Sequence, residues 1–282
     1  MSQNDKNNTN AAENTDAAKV NTAAAGDDLL DFDDDDPLGA TAVSKKSLVI
    51  FFLIDTSGSM RGKKMGELNT VMEELIPEIR RVGEADTDVK IAVLTFSTGV
   101  KWMYKAPISV EEFQWSRLEA NGVTSMGEAF TELSNRMSRN GFLNSPSLSF
   151  APVIFLMTDG YPSDDYKKGL ESLQTNSWYK FGLKAALGIG NEANDDMLAE
   201  FTGSKETVVH AYSGNQLAQM IKIVAVTASQ IGSKSMTLSD ENSNQELSEE
   251  DVYASKQKLL GQQIQELVGQ DGKDDVSFDT GW

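Results

Sequence analysis

Asp55, Ser57 and Ser59 form a D-x-S-x-S motif that directly follows a run of apolar residues. The alternating spacing lets one tight loop turn three oxygen-bearing side chains toward a single point. Thr124 supplies a further hydroxyl, and Asp159 supplies a second carboxylate after another apolar run. Hard divalent cations prefer such oxygen ligands, and the chain has no cysteine that would favour a softer metal. We therefore predict one metal site formed by these five side chains.

The donor set also predicts how a bound cation behaves. Mg²⁺ is the expected ion, with Mn²⁺ and Ca²⁺ as alternatives, because all three accept oxygen ligands and Mg²⁺ often binds through only one or two carboxylates. Three of the five predicted ligands are hydroxyls, which do not neutralise the cation, so the metal stays electrophilic at any open position. An acidic residue of a protein partner is the natural ligand there. The site is expected to recognise a partner rather than to hydrolyse a substrate.

These elements stand in the order of the metal-ion-dependent adhesion site of von Willebrand factor A domains. That pattern is D-x-S-x-S, then a threonine in a second loop, then an aspartate in a third loop. The chain resembles the family over residues 44–232. The resemblance implies that Ser57, Ser59 and Thr124 coordinate the metal directly and that the two aspartates act through water.

Three stretches are more narrowly similar to an intracellular bacterial branch of this family, the TerY-like tellurite-resistance proteins. They read LVIFFLIDTSGSMRGKKM, ANGVTSMGEAF and VIFLMTDGYPSDDY. The similarity implies an adaptor or scaffold in a cytoplasmic stress or phosphorylation-linked signalling complex. It also implies serine/threonine kinases and PP2C-type phosphatases as partners. The first residues lack the basic and apolar pattern of a signal peptide, which agrees with a cytoplasmic location.

Two other classes of function use related features. A metal-dependent phosphohydrolase with a strand-end aspartate nucleophile needs a second aspartate two residues further on, where this chain has Ser57. The only histidine, His210, has no catalytic motif around it. A secreted or surface adhesin would use the same metal site but would need a route of export. We therefore predict a protein without enzymatic activity.

The rim of the predicted site is expected to contact the partner. Met60 and Arg61 directly follow the metal loop, and Tyr161 comes two residues after Asp159. Their positions in the sequence predict that all three side chains surround the metal, where a partner would approach.

The hydrophobic pattern predicts the elements that position these residues. Ser47–Ile54 and Pro152–Met157 are continuous apolar runs, which is typical of central parallel strands covered on both faces. Strands alternate with helical patterns across residues 44–232, which predicts an α/β, doubly wound, mainly parallel central sheet flanked by helices, as in Rossmann-like folds. Ligands of such sheets bind beyond the carboxyl ends of the strands. Asp55 and Asp159 lie at such ends.

The net charge of −18 is concentrated at the two ends of the sequence. Residues 1–43 contain 10 acidic and 2 basic residues, and residues 234–282 contain 11 acidic and 4 basic residues. Such segments repel nucleic acid and anionic membranes, and we expect neither as a partner. The longest apolar run, Leu48–Ile54, is also far shorter than the roughly 20 residues that cross a bilayer.

The same composition predicts the domain organisation. An acidic, disordered N-terminal tail is expected over residues 1–43, and one folded domain over residues 44–232. Residues 233–282 are expected to form an acidic linker and tail that include an amphipathic helix at about 247–268. This helix could pack on the domain or on a partner. The run Asp33–Asp36 could also occupy the open position of the metal in the same chain.

Overall fold

The computed structural model of the protein describes residues 45–81, 87–143, 149–233 and 248–271. The N-terminal tail predicted over residues 1–43, including Asp33–Asp36, lies outside these ranges, as does the acidic end of the chain. None of the helices in the described ranges has both the length and the hydrophobicity that a membrane crossing requires.

The strands of the described ranges form one seven-stranded sheet. Its order is β3-β2-β1-β5-β6-β7, and β4 also pairs with β2. Only the pairs of β2 with β3 and with β4 are antiparallel, which confirms the predicted mainly parallel sheet. The strands are β1 (Lys46–Asp55), β2 (Thr87–Ser97), β3 (Gly99–Trp102), β4 (Ile108–Ser109), β5 (Val153–Thr158), β6 (Leu183–Ile189) and β7 (Val208–Ala211).

Helices connect the parallel strands and cover both faces of the sheet, which confirms the predicted doubly wound α/β fold. Two short elements, β4 and α4, were not predicted, because neither is long enough to give a periodic pattern. The helices are α1 (Lys63–Ile79), α2 (Met126–Arg136), α3 (Tyr166–Thr175), α4 (Ser177–Phe181), α5 (Asp195–Thr202), α6 (Gly214–Ser233) and α7 (Glu249–Asp271).

The continuous apolar run of β1 is explained by its central position. Nine consecutive residues of this strand are buried, because helices lie on both sides of it. Alternate side chains enter two separate cores: Ile50 and Phe52 pack with α1 and α6, whereas Phe51 and Leu53 pack with α2, α3 and α5. The strand is therefore held rigidly up to its last residue, Asp55.

Helix α7 packs on the domain. Leu260 and Ile264 are fully buried in the core that also contains residues of α1 and α6. The side-chain amide of Gln257 accepts a hydrogen bond from the backbone N–H of Lys184 at 2.9 Å and donates one to the carbonyl oxygen of the same residue at 2.7 Å. The helix thus packs on its own domain, which is one of the two arrangements that the sequence predicts.

Candidate metal centre

The candidate centre lies at the carboxyl ends of β1 and β5, which are parallel neighbours in the sheet. The pairing of Ile54 with Met157 places Asp55 next to Thr158. The Thr158 hydroxyl donates a hydrogen bond to Asp55 Oδ2 at 2.6 Å, and both side chains are fully buried. The first predicted carboxylate is thus fixed by a residue of the neighbouring strand.

The loop after β1 brings three predicted ligands into one hydrogen-bonded chain. The backbone N–H of Ser57 donates to Asp55 Oδ1 at 2.8 Å. The hydroxyls of Ser57 and Ser59 lie 3.0 Å apart, and Ser59 Oγ donates to Asp159 Oδ1 at 2.7 Å. The residues of the D-x-S-x-S motif and the aspartate that follows β5 therefore meet at one point, as the motif predicts.

Backbone contacts position the loop that carries Thr124. Gly122 has φ +81°, and a Cβ atom there would come within 2.4 Å of the Thr98 hydroxyl, so only glycine fits. Its carbonyl oxygen accepts from Gly58 N at 3.0 Å, which ties this loop to the first one. Thr124 N donates to Ser163 Oγ, and Ser163 N donates to Thr124 O, each at 2.9 Å. Thr124 is therefore held between the first and third loops.

The two carboxylates differ in their electrostatic surroundings. Burial raises the pKa of Asp55, the negative charge of Asp159 raises it further, and the hydrogen bonds from Thr158 and Ser57 oppose the shift. Asp159 is also fully buried, but its Oδ2 atom accepts a charged hydrogen bond from Lys64 Nζ at 2.7 Å. The site therefore contains a fixed cation of the protein beside one of its two carboxylates.

Sequence reasoning missed Lys64, Thr158 and Ser163. Thr158 is the last residue of β5, Ser163 lies in the loop that follows, and neither gave a signal of its own in the sequence. Lys64 had a detectable signal, because it stands in the first turn of α1, where acidic residues are favoured and none is present. A lysine at the N-terminal end of a helix is unfavourable unless a negative charge lies nearby, and Asp159 is that charge.

The three residues predicted to surround the metal differ in their exposure to solvent. The prediction for Met60 is wrong: it is fully buried in the core beside α1, because the 3₁₀ turn Gly58–Met60 points its side chain inward. Arg61 is exposed, and its guanidinium donates to Ala120 O at 3.1 Å and to Asn121 Oδ1 at 2.6 Å. Tyr161 is 65% exposed. Arg61 and Tyr161 thus remain predicted partner contacts.

The chemistry of the cluster fits a hard divalent cation. Its donors are two carboxylates and three hydroxyls at the strand ends: Asp55, Ser57, Thr124 and Asp159 are buried, and Ser59 is exposed. Within the described ranges, no group of three or more His, Cys, Asp or Glu side chains is arranged to hold a metal. His210 lies at another place on this edge, with Nε2 3.0 Å from Asp195 Oδ1. The oxygen cluster is thus the candidate centre that the described residues offer.

Comparison with solved structures gives matches that cover about two thirds of this chain. A von Willebrand factor type A structure from Catenulispora acidiphila matches with a TM-score of 0.48 and 19% identity, over 66% of this chain and 43% of that chain. Proximal thread matrix protein 1 of the mussel byssus, in a structure with a zinc-occupied MIDAS motif, matches with a TM-score of 0.48 and 17% identity, over 66% and 46% of the two chains.

Sequence comparison places the chain in a family. Inter-alpha-trypsin inhibitor heavy chain H2 of Mus musculus is 27% identical over 180 residues, which cover 59% of this chain and 18% of that protein. The chain thus spans less than a fifth of the length of this relative. The sequence model of the von Willebrand factor type A domain matches residues 50–225, more than half of the chain. The protein described here therefore belongs to the von Willebrand factor type A domain family.

Proposed function

We propose that this protein is a divalent-cation-dependent protein-binding module that holds an acidic residue of a partner. The observation that carries the proposal is the hydrogen-bonded chain from Asp55 through Ser57 and Ser59 to Asp159. Together with Thr124, these residues would hold Mg²⁺ or a similar hard cation. When bound, the cation supplies an electrophilic centre for an anionic oxygen.

The charges of the buried residues support binding rather than hydrolysis. Asp55 and Asp159 carry two negative charges, and Lys64 offsets one of them. A divalent cation would therefore leave the centre with a net positive charge, which a partner carboxylate neutralises. Phosphohydrolases with a strand-end aspartate nucleophile need a second aspartate two residues further on. This chain has Ser57 at that position, and the Ser57 hydroxyl contacts Ser59. These features support the proposal that the protein is not an enzyme.

Exposed apolar side chains support a protein as the partner. Among the described residues, four large hydrophobic side chains are exposed, and three of them lie on loops near this edge of the sheet: Val123, Tyr161 and Tyr212. Val123 precedes Thr124, Tyr161 follows Asp159, and Tyr212 directly follows β7. Aromatic residues are enriched at protein interfaces. We propose that they contact the residues on either side of the partner's acidic side chain.

The cellular setting is a further part of the proposal. The three stretches that are similar to TerY-like proteins support a role in a bacterial cytoplasmic stress or phosphorylation-linked complex. Serine/threonine kinases and PP2C-type phosphatases are the partners that this similarity suggests. The chain is also similar to the inter-alpha-trypsin inhibitor heavy chain H2 of Mus musculus.

An affinity capture experiment tests the binding function. Wild-type protein and Asp55→Ala are each incubated with cell extract in Mg²⁺ and in EDTA. The proposal predicts a partner that is retained by wild type in Mg²⁺ and lost under the other three conditions. Glu250→Gln removes an exposed carboxylate from α7 and is the matched control, which should retain the partner. A partner that binds equally in EDTA would contradict the proposal. For a partner that is lost in EDTA, substitution of the partner's acidic residues should identify the one that binds the metal centre.

A further inference from the structure

We propose that Lys64 sets the charge of the metal centre: it opposes cation binding and favours capture of an anionic ligand by the loaded centre. The inference rests on the proposed function, because it assigns a role to a residue of the same site. Lys64 is not a predicted metal ligand: its contact with Asp159 holds it beside the centre, and it acts on the cation through its charge.

The geometry places Lys64 at the second carboxylate. Its Nζ atom lies 2.7 Å from Asp159 Oδ2, its side chain is 17% exposed, and Asp159 is fully buried. The other carboxylate oxygen, Oδ1, accepts from Ser59. Both oxygens of Asp159 are therefore engaged by groups of the protein, one of them positively charged. A hydrogen bond between an ammonium group and a carboxylate is among the stronger polar contacts of a protein.

The position of Lys64 in its helix is a second observation. Helix α1 begins after Gly62, has no side-chain cap and has no acidic residue in its first turn. A lysine there opposes the helix dipole, which favours negative charge at the N-terminal end. Local sequence preferences are often violated at functional sites. Lys64 is thus explained by Asp159 and not by the stability of the helix.

Lys63 shows what an ordinary lysine does at this helix end. Its side chain is 51% exposed and lies 3.8 Å from Glu67, one turn along the same helix. It therefore offers a matched control for the removal of a positive charge from the first turn of α1. The two neighbours differ in burial and in the contact with Asp159.

The consequence for a bound cation follows from the signs of the charges. A divalent cation held beside Asp159 is repelled by the ammonium of Lys64, so Lys64 lowers the affinity for the cation. The same ammonium adds one positive charge to the loaded centre, so Lys64 raises the affinity for a carboxylate. A residue with a purely structural role would not move these two affinities in opposite directions.

Calorimetry with MgCl₂ alone tests the first half of the inference. Lys64→Met is expected to bind Mg²⁺ about tenfold more tightly than wild type or more, whereas Lys63→Met should stay near wild type. Lys64→Gln removes the charge and keeps a hydrogen-bond donor, so it should behave like Lys64→Met even if the methionine variant does not fold. Unchanged or weaker Mg²⁺ binding in the folded Lys64 variants would overturn the inference.

Acetate binding to the Mn²⁺-loaded protein, followed by water proton relaxation, tests the second half. The Lys64 variants are expected to bind acetate at least about threefold more weakly than wild type, and Lys64→Arg should restore the affinity because it keeps the charge. Acetate affinity that is equal or higher in the neutral variants would overturn this half. If wild type itself binds no divalent cation, the proposed function fails; if only the variants fail to differ, the role of Lys64 fails alone.

Discussion

The Thr158 hydroxyl donates a hydrogen bond to Asp55 Oδ2 across the junction of β5 and β1. Asp55 thereby receives only neutral donors, from Thr158 and from the backbone of Ser57. Asp159, by contrast, receives one donor that is charged, Lys64. Asp55 is therefore a buried carboxylate without a charged hydrogen-bond donor, and its ionisation leads to a prediction about pH.

Asp55→Asn should be more stable than wild type at neutral pH in EDTA, because it removes a buried charge that only neutral groups solvate. Burial raises the pKa of Asp55 above its usual value of 3.8. The folded chain therefore holds this proton more tightly than the unfolded chain, and the stability of wild type falls as pH rises through the raised pKa. Urea unfolding of both proteins from pH 4 to pH 7 measures the difference, which should widen with rising pH. A difference that does not depend on pH would refute this explanation.

Excess Mg²⁺ should reverse that order of stability at neutral pH. Only wild type retains the carboxylate that the cation needs, and a ligand that binds the folded state alone raises its unfolding free energy. The same urea titrations in Mg²⁺ give the measurement. Glu250→Gln is the control and should gain stability in Mg²⁺ as wild type does.

Tyr161→Ala should weaken partner binding by about 1–2 kcal/mol and leave Mg²⁺ affinity unchanged, because an exposed aromatic residue at an interface is a frequent binding hot spot. The side chain is 65% exposed and provides none of the predicted metal ligands. Leu267→Ala is the matched control, since Leu267 is an exposed apolar residue of α7. Surface plasmon resonance with the captured partner measures both variants. An equal loss of partner affinity in Tyr161→Ala and Leu267→Ala would show that Tyr161 is not a partner contact.

The sequence predicts the motif residues well because their relation is local. A continuous apolar run ending in Asp55 requires a buried central strand, and the two-residue spacing of Ser57 and Ser59 is a property of one loop. The position of Lys64 in the first turn of α1 indicates an acidic partner, but the pairing with Asp159 spans 95 residues of sequence, so no local pattern identifies that partner. The burial of Met60 depends on a single 3₁₀ turn, whose direction hydrophobic periodicity does not specify.

The surface on which α7 packs could not be predicted from the sequence either. An apolar helix face indicates that the helix is buried but not which surface buries it. The structure makes a definite prediction: Leu260→Ala should lower the unfolding free energy of the isolated protein by about 2–5 kcal/mol, as expected for a fully buried leucine. Urea unfolding measures this change, with the exposed Gln262→Ala as control. Wild-type stability in Leu260→Ala would mean that the helix does not pack on its own domain in solution.

Lys184 gives a prediction at alkaline pH. Its Nζ atom donates to the carbonyl oxygens of Gly182 at 2.8 Å and Tyr179 at 3.0 Å, and burial lowers the pKa of Lys184 to about 8 from the usual 10.5. Between these values the unfolded chain keeps a proton that the folded chain has lost, so stability rises with pH. Wild type should therefore gain stability relative to Lys184→Met from pH 8 to pH 10. A constant difference over that range would contradict the lowered pKa.

The central claim is that the oxygen cluster at Asp55, Ser57, Ser59, Thr124 and Asp159 binds a divalent cation. Isothermal titration calorimetry of the purified protein with Mg²⁺, Mn²⁺ and Ca²⁺ tests it most directly. The account predicts binding of at least one of these cations at a single site in wild type and in Glu250→Gln, and loss of binding in Asp55→Ala. Absence of binding by wild type, or equal binding by Asp55→Ala, would contradict it.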